Sequence, residues 1–167
     1  MYKFLLPILA AILLSACGGA TSSSQWSLTE PNGEYRLTLD LVDGQLLYHI
    51  SAGEQILVDS SRLGIIRADA DLSRNLRFVS ASKVEQLSDA YTLKIGKQRE
   101  LQDQGVAQTY TFENAGGALL EVQVKALTDG FGIRYHFPEN DGAVVTVEQE
   151  LTEFNFSTGG RAWLQAY

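Results

Sequence analysis

The chain has 167 residues, with 13 basic side chains against 20 acidic ones and a formal net charge of −7. That balance excludes an ordinary nucleic-acid binder, in which Lys and Arg neutralise phosphates and so supply most of the affinity. It equally excludes adhesion to anionic lipid through a basic patch, and the length suits a single domain around one core.

The first element in chain order is a leader. Met1 and Tyr2 precede one positive charge, Lys3, and an apolar run from Phe4 to Leu14. The run falls short of the about 20 apolar residues needed to span a bilayer and has the proportions of a signal-peptide core. Leu14-Ser15-Ala16-Cys17 then resembles the bacterial lipobox: a branched apolar residue, two small ones and cysteine. That resemblance implies cleavage before Cys17 and a diacylglyceryl group on its sulfur, so residues 1–16 read as a lipoprotein signal peptide. Cys17 is the only cysteine, which excludes an intrachain disulfide. Lipidation also explains a lone thiol in an oxidising compartment, and multiple acyl chains would hold the protein on its membrane. Cleavage removes Lys3 and no acid, leaving 12 basic residues against 20 acidic and a mature charge of −8. The expected location is the cell envelope. Gly18, where inner-membrane retention uses aspartate, points to the outer membrane, facing the periplasm or the exterior.

Residues 17–25 read as the lipidated cysteine and a flexible tether, small and polar through Gly18-Gly19-Ala20-Thr21-Ser22-Ser23-Ser24. From Trp26 the pattern changes to period two. Tyr35, Leu37, Leu39 and Leu41 alternate with polar residues, the mark of a half-buried strand. Asp43-Gly44 supplies a two-residue hairpin turn, and Gln45–Ser51 returns with Leu46, Tyr48 and Ile50 on one face. A turn at Ala52-Gly53-Glu54 and a strand over Gln55–Asp59 complete a meander. Further strands are predicted at 62–68, 76–87, 91–96, 106–113, 118–127, 131–137 and 143–151, punctuated by Gly116-Gly117, Asp129-Gly130 and Asp141-Gly142. No stretch beyond the leader has apolar residues at helical spacing. The fold class is therefore all-β, an antiparallel sandwich over residues 26–167.

Side chains that could carry chemistry are few. His49 and His136 sit in separate alternating strands, without the convergent spacing of a metal site. Phe131, Ile133, Tyr135 and Phe137 should fill one strand face, leaving Arg134 and His136 on a polar outer face. Glu148, Glu150 and Glu153 crowd one segment, and simple alternation sets Glu148 and Glu150 on one face about 7 Å apart. Paired carboxylates serve glycoside hydrolysis, yet any solvated acidic strand has that spacing. There is no nucleophile elbow, phosphate loop or dinucleotide fingerprint. Trp26, Trp163 and Tyr167 have planes that could stack on sugar rings, though the core is the commoner place for such residues.

The order of segments resembles one family. Trp26-Ser27-Leu28-Thr29-Glu30-Pro31-Asn32-Gly33 is similar to the W-x-L-x-S-P-D/N-G opening of glycoside hydrolase family 97. Leu46–Ser51 resembles its L-x-Y-x-V hairpin, and Ser60-Ser61-Arg62-Leu63-Gly64 its S-x-L-G step. Asp129–Pro138 resembles its D-G-x-x-F/I-R-Y-x-F strand, and Glu148–Phe156 with Ala162-Trp163 its E-x-T-x-F … A-W segment. The resemblance implies an N-terminal supersandwich like that of galactose mutarotase, here incomplete at its C-terminal end. It would stand ahead of a (β/α)8 barrel that carries the catalytic carboxylates and most calcium ligands. It implies an exported α-glucosidase or α-galactosidase whose substrate is an α-linked oligosaccharide. No catalytic residue and no metal ligand transfers onto residues 26–167, so this portion alone is expected to be silent. Calcium is expected in the full-length enzyme and not in this portion. The other reading the residues leave open is a stand-alone surface lipoprotein sandwich that binds a glycan or a partner protein.

Overall fold

The computed structural model describes residues 23–92, 94, 100–139, 142 and 144–158; the leader, Cys17 and Trp163 lie outside the described residues. Thirteen strands follow one another along these residues. They are β1 (Ser23–Thr29), β2 (Tyr35–Val42), β3 (Gln45–Ala52), β4 (Gln55–Leu63), β5 (Ile65–Arg67), β6 (Asp71–Leu72), β7 (Arg77–Ala81) and β8 (Glu85–Thr92). After them come β9 (Glu100–Glu113), β10 (Leu119–Leu127), β11 (Gly130–His136), β12 (Val147–Glu150) and β13 (Asn155–Phe156). No helix occurs among the described residues, and every strand pair is antiparallel.

The strands form a sandwich. One sheet has the order β1-β2-β3-β4-β13, the facing sheet runs β11-β10-β9-β7 with β8 also on β9, and β12-β5-β6 is a small third sheet. The expected meander is the first of these. Asp43 and Gly44 take φ of 49° and 77°, which joins β2 to β3 with opposed pairs from Val42↔Gln45 to Tyr35↔Ala52. Positive φ at both turn residues matches the right-handed twist of the flanking strands. The alternation of β2 and β3 turns Leu37, Leu39, Leu46 and Tyr48 inward, each 0–1% exposed. They meet Phe112, Leu120, Val122 and Val124 from β9 and β10, all fully buried. Trp26 of β1 closes one side. Its ring stacks on Phe78 at 4.4 Å and meets Phe112 edge-on at 5.8 Å.

Several boundaries differ from the sequence reading: β4 runs on to Leu63, β9 begins as early as Glu100, and four further differences have a local reason. The tether reading ran to residue 25, but Ser23, Ser24 and Gln25 pair with Val42, Leu41 and Asp40. A backbone ladder on an edge strand needs no apolar side chains, and the Gln25 side-chain amide donates to Asp40 at 2.7 Å. The strand expected over 62–68 breaks at Gly64, where a Cβ would stand 2.9 Å from Ser73 Cβ. The strand expected at 76–87 is interrupted at Ser82–Val84, where the Ser82 hydroxyl accepts from the Thr109 N–H, and its two parts both pair with β9; of the strand expected at 91–96, Tyr91 and Thr92 continue β8, and 93 and 95–96 lie outside the described residues. The strand expected over 143–151 shrinks to β12, and Val144 is 98% exposed.

Beside the hairpin turn, a Cβ on Gly44 would come within 2.9 Å of Asn75 Cα, and the Gly44 carbonyl accepts the Leu76 N–H at 2.9 Å. Gly44→Ala therefore combines left-handed strain with a backbone clash. We expect a loss of about 1–2 kcal/mol, read as a fall of roughly 3–8 °C in Tm by circular dichroism. An unchanged melt would mean that this turn is not a fixed point of the fold.

Candidate functional site

The two histidines occupy opposite outer surfaces. His49 follows inward-facing Tyr48 on β3, and its Nδ1 lies 3.1 Å from Asp40 Oδ2. His136 follows Tyr135 on β11, and its Nδ1 lies 2.8 Å from Glu121 Oε2. With the whole sandwich between them they cannot share a metal. Among the described residues no three His, Cys, Asp or Glu side chains converge on a point that could hold one.

The carboxylates that simple alternation paired are separated by a bulge. Val147 opposes Arg67, Gln149 opposes Ile66 and Glu150 opposes Ile65, so the register slips at Glu148. Two residues then face one across the strands, and the period-two rule fails locally. Glu150 Oε1 instead accepts the Thr152 hydroxyl at 2.8 Å. Glu153 turns its Oε2 toward the Arg62 N–H at 3.3 Å, while its backbone carbonyl takes the Tyr48 hydroxyl at 2.8 Å. All three glutamates are exposed. Trp26 belongs to the aromatic core and offers no sugar platform; Trp163 and Tyr167 lie outside the described residues.

Two polar clusters escaped the sequence reading, and both hold backbone. The Arg67 guanidinium, 6% exposed, is bidentate on Asp69 and donates to Glu139 Oε2 at 3.0 Å. It also lies 4.7 Å above the Phe137 ring. The Asp69 pairing outweighs burial and raises the Arg67 pKa, so the cation is permanent. Glu139 Oε1 in turn accepts the Leu119 N–H at 2.6 Å, which fixes the chain after β11 to the start of β10. Charge-assisted forks of this kind carry geometry as well as energy. The spacing Arg67-x-Asp69 was visible in sequence, but Glu139 is 72 residues away. The second cluster is Glu30, 3% exposed. Its carboxylate accepts the N–H groups of Asn32 and Glu34 at 2.7 Å each and of Tyr35 at 3.3 Å, clipping the β1–β2 turn shut.

Three tyrosines line the interior. Burial pushes the phenol of Tyr110 up to about 12 and raises those of Tyr48 and Tyr135. They stay protonated at neutral pH and act as structural donors or acceptors. Tyr135 Oη accepts the Gly64 N–H at 3.0 Å and lies 2.8 Å from Thr152 Oγ1, joining the two sheets through the bulged segment.

Fold and site together define an all-β antiparallel sandwich. Comparison with known proteins narrows the class. Residues 28–167 match the family model described as glycosyl-hydrolase 97 N-terminal, and the chain belongs to that family. A probable retaining alpha-galactosidase of Streptomyces bingchenggensis (strain BCW-1) is 31% identical over 164 residues, 96% of this chain and 25% of its own. The chain thus spans about a quarter of that relative's length. Solved structures repeat the fold. A glycoside hydrolase family 97 enzyme from Pseudoalteromonas sp. strain K8, in complex with panose, superposes with a TM-score of 0.70 at 23% identity, over 80% of this chain and 20% of that one. A beta-arabinopyranosidase gives 0.73 at 24%, over 79% and 21%.

The Glu30 clip has a pH signature. Burial raises its carboxyl pKa, but the backbone donors from Asn32, Glu34 and Tyr35 together outweigh it, and the net pKa is below the ordinary value. A carboxylate with a lowered folded pKa stabilises fully above its unfolded pKa, about 4.3 for glutamate, and loses that contribution as pH falls through the folded value. Asp69, held down first by Arg67, and Asp71, held down first by the Ser73 hydroxyl, act in the same direction. Glu30→Gln should lower Tm at pH 7 and flatten the decline in Tm below about pH 4.5. Parallel acid-side slopes for the variant and the native chain would show that Glu30 is not part of that decline.

Proposed function

We propose that this chain is the non-catalytic N-terminal sandwich of an exported, lipid-anchored α-glycosidase, and that it packs against a catalytic barrel and shapes one wall of the sugar pocket. The observation that carries the reading is the family match over residues 28–167, set beside a relative four times as long that is described as an alpha-galactosidase. The substrate class is an α-linked oligosaccharide, in keeping with the panose and acarbose complexes of the Pseudoalteromonas enzyme. Sugar preference would come from the barrel, since the same sandwich also occurs in a beta-arabinopyranosidase. Catalysis would reside there too. In keeping with that reading, a bulge separates Glu148 from Glu150, and Glu150 and Glu153 each accept a local hydrogen bond.

Calcium belongs to the same proposal. No described cluster of this chain forms a calcium cage, and hard cations take six to eight oxygen ligands. Calcium is expected in the complete enzyme, with the barrel supplying most of its ligands. The anchor would be Cys17, in the cell envelope and on the outer membrane. The leader's short apolar run before Leu14-Ser15-Ala16-Cys17 supports it.

Two measurements test the reading. Assayed with calcium on aryl α-glucosides and α-galactosides, the chain should give no turnover above background. Hydrolysis that persists in the triple variant Glu148→Gln, Glu150→Gln, Glu153→Gln would place catalysis inside this sandwich after all. Grown with radiolabelled palmitate, cells expressing the chain should label it, and Cys17→Ala should abolish the label. Equal labelling of the variant, or none of the native chain, would remove the anchor.

A further inference from the structure

Asparagine occurs five times in the chain, and only Asn32 is followed by glycine. That pair sits in the turn between β1 and β2. Asn32 and Gly33 are both exposed, and a Cβ built on Gly33 would meet nothing within 4 Å. An asparagine amide is open to attack by the main-chain nitrogen of the residue that follows it. A side chain on that residue hinders the approach, and glycine has none. Asn75, Asn114 and Asn155 are followed by Leu76, Ala115 and Phe156, so each carries the hindrance that Asn32 lacks.

Glu30 stands in the way of that attack. The Gly33 N–H, whose nitrogen is the nucleophile, donates to the Glu30 backbone carbonyl at 3.0 Å. On either side of it, the Asn32 and Glu34 N–H groups donate to the two oxygens of the Glu30 carboxylate at 2.7 Å each. To bring the Gly33 nitrogen onto the Asn32 side chain, the peptide between the two residues must rotate. Both of its flanks are tied to one acid that is only 3% exposed. Hydrogen bonds to an ionised acceptor are the strong kind. The turn is thus reactive in composition and restrained in geometry.

We propose that Asn32 is a site of spontaneous deamidation and that the Glu30 clip sets its rate. The Gly33 nitrogen, having lost its proton to base, bonds to Asn32 Cγ, and the bond from Cγ to the side-chain nitrogen breaks. That nitrogen takes a proton from solvent and leaves as ammonia, and a five-membered succinimide remains. Water then opens the ring at either carbonyl, to give aspartate or isoaspartate. One water is consumed and one ammonia released, with no change of oxidation state. Either product weakens the clip that delayed it. Aspartate sets a second carboxylate beside Glu30, and like charges repel. Isoaspartate adds a main-chain carbon between the Asn32 and Glu34 N–H groups, so the two no longer fit one carboxylate.

The test holds the full chain, its Glu30→Gln variant and a peptide of residues 28–37 in mildly alkaline buffer, below the melting range of both proteins. Conversion at Asn32 is read from peptide masses after digestion. The free peptide should convert at least about tenfold faster than the folded chain, a factor equivalent to about 1.4 kcal/mol. Glu30→Gln should recover most of that difference, while Asn75 and Asn114 stay intact. A folded chain that converts as fast as the peptide would overturn the proposal, and so would a Glu30→Gln rate equal to the native one. Conversion at Asn75 or Asn114 to the same extent would remove the role of glycine. Should Glu30→Gln fail to fold, the native chain answers through its product. The deamidated fraction, separated by its added negative charge, should melt below the intact fraction. Coincident melts would refute the link to the clip.

Discussion

A sheet with one apolar face must be covered by something, and nearly every feature of this molecule follows from how that demand is met. β2 and β3 each turn a row of leucines and a tyrosine to one side. Fully burying one such side chain contributes roughly 1.5–3 kcal/mol, so the second sheet is required, not ornamental. The two layers are then held in register by groups that are not themselves apolar. Tyr135 of the facing sheet accepts from Gly64 of the connection between β4 and β5, and within the first layer Tyr48 donates to the backbone at Glu153, which itself bonds Arg62 of β4. Each phenol has a polar tip at the end of a buried ring, and each uses it on backbone that the core would otherwise leave without a partner.

The polar side chains that a sequence reader would inspect for chemistry are engaged in the same task. Glu30 and Arg67 are the most deeply buried charged groups among the described residues, and neither points at open space. Glu30 satisfies three N–H groups of a turn. Arg67 is neutralised by two carboxylates, one of which also receives the Leu119 N–H. A buried charge survives only when paired and hydrogen-bonded, and both groups meet that condition with partners in this same sandwich. These residues are supports.

How much of this was legible depended on range. The β2–β3 hairpin could be read to the register, because strict alternation names the buried face and Asp43-Gly44 fixes the loop at two residues. Likewise the split of β11 into apolar Phe131, Ile133 and Tyr135 and polar Arg134 and His136 needed only period two. What the alternation could not reveal are its interruptions. Gly64 breaks a strand because Ser73 presses against it, and Glu148 slips because its partners are set some 80 residues earlier. Arg67 and Glu139 meet for the same reason. Serine-rich 23–25 misled in the other direction, since composition reports on side chains and the edge ladder is made by backbone.

A sandwich fold does not itself imply a function, and the surfaces of this one are unevenly finished. The two outer faces carry local pairs, Asp40 with His49 on one and Glu121 with His136 on the other, which solvent can serve without a partner. The unmet demand lies at the β11 and β13 edges, where Val58, Phe154, Phe156 and Phe131 stand around an incompletely filled space. Exposed apolar side chains gathered at a sheet edge are a liability in a free-standing protein and an asset in one that joins further chain there. The strength of the fold is therefore concentrated around Trp26, Leu39 and Phe112, and its capacity for contact around Phe131 and Phe156.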